Sequence, residues 1–364
     1  MEINEIDSER LGSLCRADVT DRHSQDAFLS HWKEKAERLF GDATRQCLHM
    51  GTDCSGGIRR WLCEPVVFTW KQRNNLFRGV LMCSTASVGD THRNRHQLAA
   101  CTEIAWTCAL IVDDIMDASV EREGHVAAHL EFGLYRCLTA VMLALANVGW
   151  KLLLSISGSC QSRIERLKLA TRFLLRCAMT QLPSKYPDFL AGYRSYAIDT
   201  NICLHWILLA PYCGQHNGKM ESLMREFADR MALAGRISND LHDYWGGASE
   251  RQRLFNDFHS RKKTYPILVL LEQNMMHPDR VRVEYHFSRR DTLRPDQIME
   301  MFRAYDVARI CLDDLSRELA EVSEVLGKMK QGGLDVELEE SLAELIHFTG
   351  AACRERLSAA IFKE

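Results

Sequence analysis

Apolar positions recur at three- and four-residue spacings along most of the chain, and few stretches alternate with period two, so the pattern predicts helices almost throughout. From residue 25 the spacing of Phe28, Leu29, Trp32, Ala36 and Phe40 is helical, and the glycine-bearing stretch 51–57 interrupts it. A block over 61–88, with Phe68, Trp70, Leu76, Phe77, Val80 and Leu81, predicts one or two helices ending at Gly89-Asp90. A central helix over 96–117 places Ile104, Cys108, Ile111 and Ile115 on its packing face and gives way to a loop over 118–128. Further helices are expected over 129–156, 162–181, 187–213 and 219–244, the last stopped by Gly246-Gly247. A charged connection over 251–263 then leads to helices over 266–273, 295–329 and 336–362. Residues 1–24 are polar with little periodicity and are expected to form a loose leader, which leaves 25–364 as one helical domain. The expected fold class is all-α, a single-domain bundle.

Composition narrows the function classes. A formal net charge of -3 gives no electrostatic footprint for nucleic acid. Hydrophobic residues at 46% and charged residues at 26% suit a globular protein, and no apolar run reaches the roughly 18 residues of a membrane span. The acidic start lacks the apolar centre of a signal peptide, so a cytosolic, reduced setting is expected despite 14 cysteines. Cys101, Cys108, Cys137, Cys203 and Cys311 fall inside apolar helical patterns and are expected to be small core residues. Cys47, His49, Cys54 and Cys63 match no standard zinc spacing.

The candidate chemistry lies at the end of the central helix, Asp113-Asp114-Ile115-Met116-Asp117. Positions four apart share a helix face, so Asp113 and Asp117 project together from adjacent turns. Two carboxylates facing one space repel each other and call for a cation. Oxygen ligands suit magnesium, which is held by one or two carboxylates together with substrate phosphates, so a diphosphate is the first ligand hypothesis. A second cluster with the same spacing, Asn239-Asp240-Leu241-His242-Asp243, sits on another long helix. Asp313-Asp314 lacks a partner at that spacing and is expected to be a surface feature.

The stretch from Ala109 to Gly124, with Ala128-His129 and Phe132-Gly133 after it, resembles the trans-prenyl diphosphate synthases, most of all the geranylgeranyl type. The second cluster, Asn256-Asp257 and Lys262-Lys263-Thr264-Tyr265-Pro266 follow that family's order, and the resemblance runs over about 60–325. It implies an antiparallel helical bundle around a deep apolar cavity, three magnesium ions (Mg2+) bound with a prenyl diphosphate at its mouth, and a homodimer. It assigns metal binding to Asp113, Asp117, Asn239, Asp240 and Asp243, and diphosphate binding to Arg122, Lys262 and Arg78; Arg236, where the elongating enzymes usually have glutamine, adds a further candidate cation beside the diphosphate. Small residues at Cys108 and Ala109 imply room for a C15 or C20 chain, and Trp106 and Trp206 are candidate faces for a carbocation.

The chain also departs from that family. Where the elongating enzymes have a Gly-Lys pair, Arg-Arg-Gly and Lys-Thr for a second diphosphate, this sequence has Asn74-Asn75, Arg122-Glu123-Gly124 and Asp199-Thr200. A carboxylate at Glu123 would repel the group it should bind, while Asn239 resembles the Asn-Asp start of a class I terpene cyclase motif. The expectation is therefore a Mg2+-dependent terpene synthase, a lyase of isoprenoid secondary metabolism, that ionises farnesyl or geranylgeranyl diphosphate and cyclises the cation. The alternatives are an elongating prenyl diphosphate synthase, transfer to a non-isoprenoid acceptor, and a non-catalytic partner subunit.

Overall fold

The computed structural model describes residues 22–48, 56–73, 76–86, 92, 94–122, 124–155, 160–178, 187–213, 218–245, 254–273, 277–288 and 293–361. The expected leader (but for its last three residues), the proposed helix stops at Gly89-Asp90 and Gly246-Gly247, and Asn74, Asn75 and Glu123 lie outside those residues. So do His49 and Cys54 of the weighed zinc set.

The described chain is helical, with one two-residue hairpin. In order, α1 is Arg22–Leu48, α2 Gly56–Gln72, α3 Phe77–Thr85 and α4 Arg95–Met116; the hairpin strands β1 (Glu121–Arg122) and β2 (His125–Val126) follow. Then come α5 (Ala128–Phe132), α6 (Leu134–Ser155), α7 (Cys160–Ala178), α8 (Tyr193–Thr200), α9 (Ile202–Leu209) and α10 (Gly218–Trp245). The last six are α11 (Asn256–His259), α12 (Tyr265–Glu272), α13 (His277–Phe287), α14 (Pro295–Ala304), α15 (Val307–Gln331) and α16 (Val336–Ile361).

Two long helices organise the bundle. Helix α4 packs on α1, α2, α3, α6 and α7, and α10 packs on α8, α9, α15 and α16. The α4 interior face is made of small residues, Ala99, Ala100, Cys101, Ala105, Cys108 and Ala109, all buried, which lets five neighbours approach one helix. Helix α3 is fastened to α4 by polar groups: Glu103 accepts the Gly79 N–H at 2.7 Å and pairs with Arg73 at 2.6 Å, and Arg73 also donates to Thr107 at 2.9 Å. A Cβ at Gly79 would meet Phe40 Cζ at 2.4 Å and Glu103 Cγ at 2.6 Å, so glycine is required by close approach.

Several boundaries differ from the sequence expectation. The loop after α4 contains the hairpin, with Glu121 opposite Val126 and Arg122 opposite His125. The helix expected over 129–156 is split by Gly133, whose φ of +83° suits glycine. That over 187–213 breaks at Asn201, and that over 295–329 breaks at Asp306, which adopts a left-handed φ of 54°. Helix α11 lies inside the expected charged connection, and α13 was not anticipated. Helix α6 is long and apolar enough to cross a membrane, with mean hydropathy 1.8 over its most apolar window and 33% of that window buried. Its inner face packs on α4 and α2 while Tyr135, Met142, Trp150 and Leu154 stay exposed. The described cysteines are thiols, and the five named as core residues are all buried.

Candidate active site

Helix α4 ends at the first acidic cluster because Asp117 caps it, donating its N–H to Asp113 O at 2.9 Å, and Ala118 then turns left-handed at φ 51°. Asp113 is half-buried, while Asp114 is buried. The hairpin returns Arg122 onto both: its guanidinium donates to Asp113 Oδ2 at 2.9 Å and to the two Asp114 oxygens at 2.7 and 3.0 Å. Burial alone would lower the Arg122 pKa, but the bonds to Asp114 and Asp113 outweigh it and the value is raised. The cation is fixed as the anchor of the cluster.

The turn before α12 supplies a second cation. Lys262 Nζ lies 2.8 Å from Asp257 and 3.5 Å from Asp117, so residues from α4 and α11 meet at one ammonium. Burial raises the Asp117 carboxyl, Lys262 pulls it down, and Asp113 and Asp257 push it up again. Burial likewise opposes the charge on Lys262, and Asp257 and Asp117 more than restore it.

On α10 the second cluster divides by helix face. Asn239 is exposed and Asp243, four residues on, is half-buried. Asp243 is raised to about 7, first by burial and then by Asp257, against backbone N–H groups of 256–258 that lower it. Its Oδ1 accepts the Asp257 N–H at 3.4 Å, and its Oδ2 is buried with no hydrogen-bond partner among the described residues. Asp240 points the other way. It is 0% exposed, accepts from the Tyr193 hydroxyl at 2.6 Å and the Tyr265 N–H at 2.9 Å, and pairs with Arg236 at 3.0 Å. Those contacts commit its Oδ2 to Tyr193 and Tyr265 and set its Oδ1 against Arg236. Arg236 also lies over the Tyr196 ring, 5.3 Å from its centroid.

The donor set fits a divalent cation on one observation above all, the orphaned buried oxygen of Asp243 beside Asp257, in a cluster where carboxyls are pushed up by burial and by each other. Among the described residues, however, no three His, Cys, Asp or Glu side chains converge on a common point. That combination suits magnesium arriving with a diphosphate, whose oxygens complete the shell, better than a resident ion in a protein cage.

The cavity residues are placed differently from expectation. Trp206 is buried, stacked on Phe173 at 5.8 Å and 4°, and donates to Thr102 at 2.9 Å, so it is core packing. Trp106 carries the Arg78 guanidinium 3.9 Å from its ring centroid, and Arg78 also lies over Phe77 at 4.6 Å. That aromatic face is occupied by a cation of the protein itself. Burial lowers the Arg78 pKa. Cys108 and Ala109 are fully packed. An open recess of about 430 Å³ lies elsewhere, behind Lys263 and between the 188–190 segment, α12 and α13.

Sequence reasoning left Asp257 and Tyr193 out of the site. Asp257 was noted in the pair Asn256-Asp257 without a role, and nothing in local spacing marks it as the partner of Lys262. Tyr193 is 47 residues from Asp240 and carries no local signal.

A helical bundle that brings two aspartate clusters and their cations to one end has the architecture of the isoprenyl diphosphate synthases. A polyprenyl synthetase family model matches residues 59–304, and the chain belongs to that family. Among solved structures it is similar to a geranylgeranyl pyrophosphate synthase, with TM-score 0.71 and 16% identity over 87% of this chain and 98% of that one. It is also similar to a decaprenyl diphosphate synthase from Rhodobacter capsulatus (TM-score 0.71, 16% identity, 89% of this chain and 98% of that one). A third is a polyprenyl synthase from Caulobacter crescentus complexed with calcium and isoprenyl diphosphate (TM-score 0.65, 20% identity, 87% and 97%). At such identities the likeness establishes the fold. Among curated proteins it resembles the prenyl transferase nodC of Hypoxylon pulicicidum, 23% identical over 228 residues, which are 60% of this chain and 66%, just under two thirds, of that relative.

Proposed function

We propose that the protein is a prenyl transferase that takes a prenyl diphosphate, breaks its carbon–oxygen bond and passes the prenyl group to a second molecule. The observation that carries this reading is Lys262, which pairs with Asp117 of the first cluster and with Asp257, whose N–H donates to Asp243 of the second. The matched polyprenyl synthetase family and the resemblance to a prenyl transferase support this reading over the cyclase expectation.

Asp113 and Asp117 from α4, with Asn239 and Asp243 from α10, are the residues that would hold magnesium. When bound, the metal neutralises diphosphate charge and stabilises the leaving group. Arg122 and Lys262, standing beside those carboxylates, would donate to the diphosphate oxygens where negative charge develops. Arg236, steadied by Asp240 and Tyr196, adds a third donor. The number of ions, C15 against C20 chain length and a cytoplasmic location stay part of this proposal.

The first acceptor in this reading is isopentenyl diphosphate, which would make the enzyme an elongating synthase. A second reading, transfer to an acceptor without a diphosphate, is favoured by Arg78, whose guanidinium is held against Trp106 and Phe77. Asp199, exposed on α8 where the elongating enzymes have lysine, points the same way. Purified protein incubated with magnesium and farnesyl or geranylgeranyl diphosphate, with and without isopentenyl diphosphate, tests the proposal. Products are read as longer diphosphates in the aqueous phase and as terpenes in the organic extract. Chain lengthening supports elongation. Terpene released from the single substrate restores the cyclase, and no consumption under either condition removes isopentenyl diphosphate as the acceptor and leaves the second reading.

The exposed apolar face of α6 is proposed to be covered by a second copy of the chain. Tyr135 is 85% exposed, Met142 71% and Trp150 62%, and Ile164, Leu167 and Leu175 of the adjoining α7 extend the patch. Contiguous apolar surface on that scale marks an association site.

A further inference from the structure

Asp314, which pattern reading assigned to the surface, is instead tied to the site through Tyr265. The Tyr265 hydroxyl donates to Asp314 Oδ2 at 2.8 Å, its N–H donates to Asp240 Oδ2 at 2.9 Å, and its ring meets that of Tyr193 edge-on at 4.9 Å. The neighbouring Thr264 shares a hydrogen bond with the Tyr244 hydroxyl at 2.9 Å. Three residues before Tyr265 stands Lys262, at the end of a turn whose own backbone is closed by the Lys262 N–H on Asp257 O and the Thr264 N–H on Lys262 O. The short turn that carries the bridging lysine is thus hung from α10 at Asp240 and Tyr244, and from α15 at Asp314.

A flexible ammonium is useful to a diphosphate only if its stem is aimed beforehand, because ordering a lysine side chain costs binding free energy each time a ligand arrives. We propose that Tyr265 is a positioning residue, held by Asp240 at its amide and by Asp314 at its hydroxyl, which fixes the turn that aims Lys262 at the diphosphate. The inference rests on the proposed diphosphate site. Tyr193 takes part at one remove, since its hydroxyl orients the Asp240 oxygen that receives the Tyr265 amide. Asp313, next in sequence and exposed, pairs only loosely with Arg309 at 3.7 Å and is outside this chain of contacts.

The test is calorimetric titration of the whole chain with inorganic diphosphate in the presence of magnesium, for wild type, Tyr265→Phe, Asp314→Asn, Lys262→Ala and the double variant Tyr265→Phe/Lys262→Ala. Tyr265→Phe and Asp314→Asn are each expected to weaken binding about fivefold, while the melting temperature falls only by the few degrees that one hydrogen bond is worth. In the Lys262→Ala background Tyr265→Phe should add nothing, which a merely structural role would not produce. Asp313→Asn is expected to bind as wild type does. Equal affinity of wild type, Tyr265→Phe and Asp314→Asn overturns the positioning role and leaves the site standing, as does additivity in the double variant. Failure of the wild type itself to bind magnesium and inorganic diphosphate overturns the site reading, and this inference with it.

Discussion

The Lys262 ammonium stands 3.5 Å from the Asp117 carboxylate, although 145 positions separate them in the chain. This contact closes the gap between the end of α4 and the turn before α12. Lys262→Met keeps the length of the stem and removes the charge. The expected result is a fall of about a hundredfold in kcat/KM for the prenyl diphosphate, the scale of losing one donor to developing charge, with little change in melting temperature. Steady-state consumption of the diphosphate measures it, and a variant with wild-type kinetics would remove Lys262 from the mechanism.

Asp243 predicts a pH dependence with a definite sign. Its folded-state value, raised to about 7 from 3.8 chiefly by burial, exceeds that of the unfolded chain. The folded protein therefore retains a proton between those values that the unfolded chain has released. The stability this contributes is fully present below about pH 4 and is lost as pH rises through about 7. Ligand-free protein should show a negative contribution to its stability slope over this window, and Asp243→Asn should remove that contribution. Magnesium with diphosphate needs the carboxylate, so the stabilisation it gives should grow as pH rises through the same range. Thermal melts of both proteins from pH 5 to 8, with and without ligand, provide the check; an unchanged slope in the variant would contradict the assignment.

The division between what the sequence disclosed and what it hid follows from range. The two long helices were legible because Ile104, Cys108 and Ile111, or Met224, Phe227, Met231 and Ile237, bury one face with helical period. Helix α13 was not, because Val283 is its only fully buried aliphatic side chain and its other buried residue, His286, bridges the Leu293 N–H and Phe258 O through its two ring nitrogens. The breaks at Gly133, Asn201 and Asp306 interrupt apolar patterns that run on across them. Within the site, Asp113, Asp117 and Lys262 were found from spacing and resemblance. The contacts of Asp240 were hidden because a five-residue motif does not say which side of the helix is covered, and Tyr193 and Tyr265 cover this one. Asp314 was dismissed because its partner lies 49 positions away.

Gly79 allows a stability prediction independent of function. A methyl group there would overlap Phe40 and the stem of Glu103, and the Glu103 carboxylate is already committed to the Gly79 N–H and to Arg73. Neither neighbour can retreat, as Phe40 is buried in the core and Glu103 is 0% exposed. Gly79→Ala should destabilise the fold by about 1–3 kcal/mol, the usual cost of overpacking, despite the higher helix propensity of alanine. Denaturant unfolding gives the value, and a neutral or stabilising result would show that α3 can shift on α4.

The apolar stripe on α6 sets the last expectation. Tyr135, Leu138, Met142 and Trp150 are all exposed on a helix whose opposite side, with Cys137, Ala140, Val141, Ala144 and Val148, is packed into the bundle. Single exposed apolar side chains are ordinary, whereas a row of them along four turns, extended by Ile164, Leu167 and Leu175 of α7, is not. A second copy applied about a two-fold axis would cover it with the same face, as closed dimers do. Met142→Glu places a charge in the middle of the row, where pairing would bury it against its own counterpart across the axis. Light scattering coupled to size exclusion should report a dimer for the wild type and a monomer for the variant at the same concentration. A wild-type monomer that instead sediments with lipid vesicles would assign the face to a membrane, in keeping with the composition of α6, and would refute the dimer.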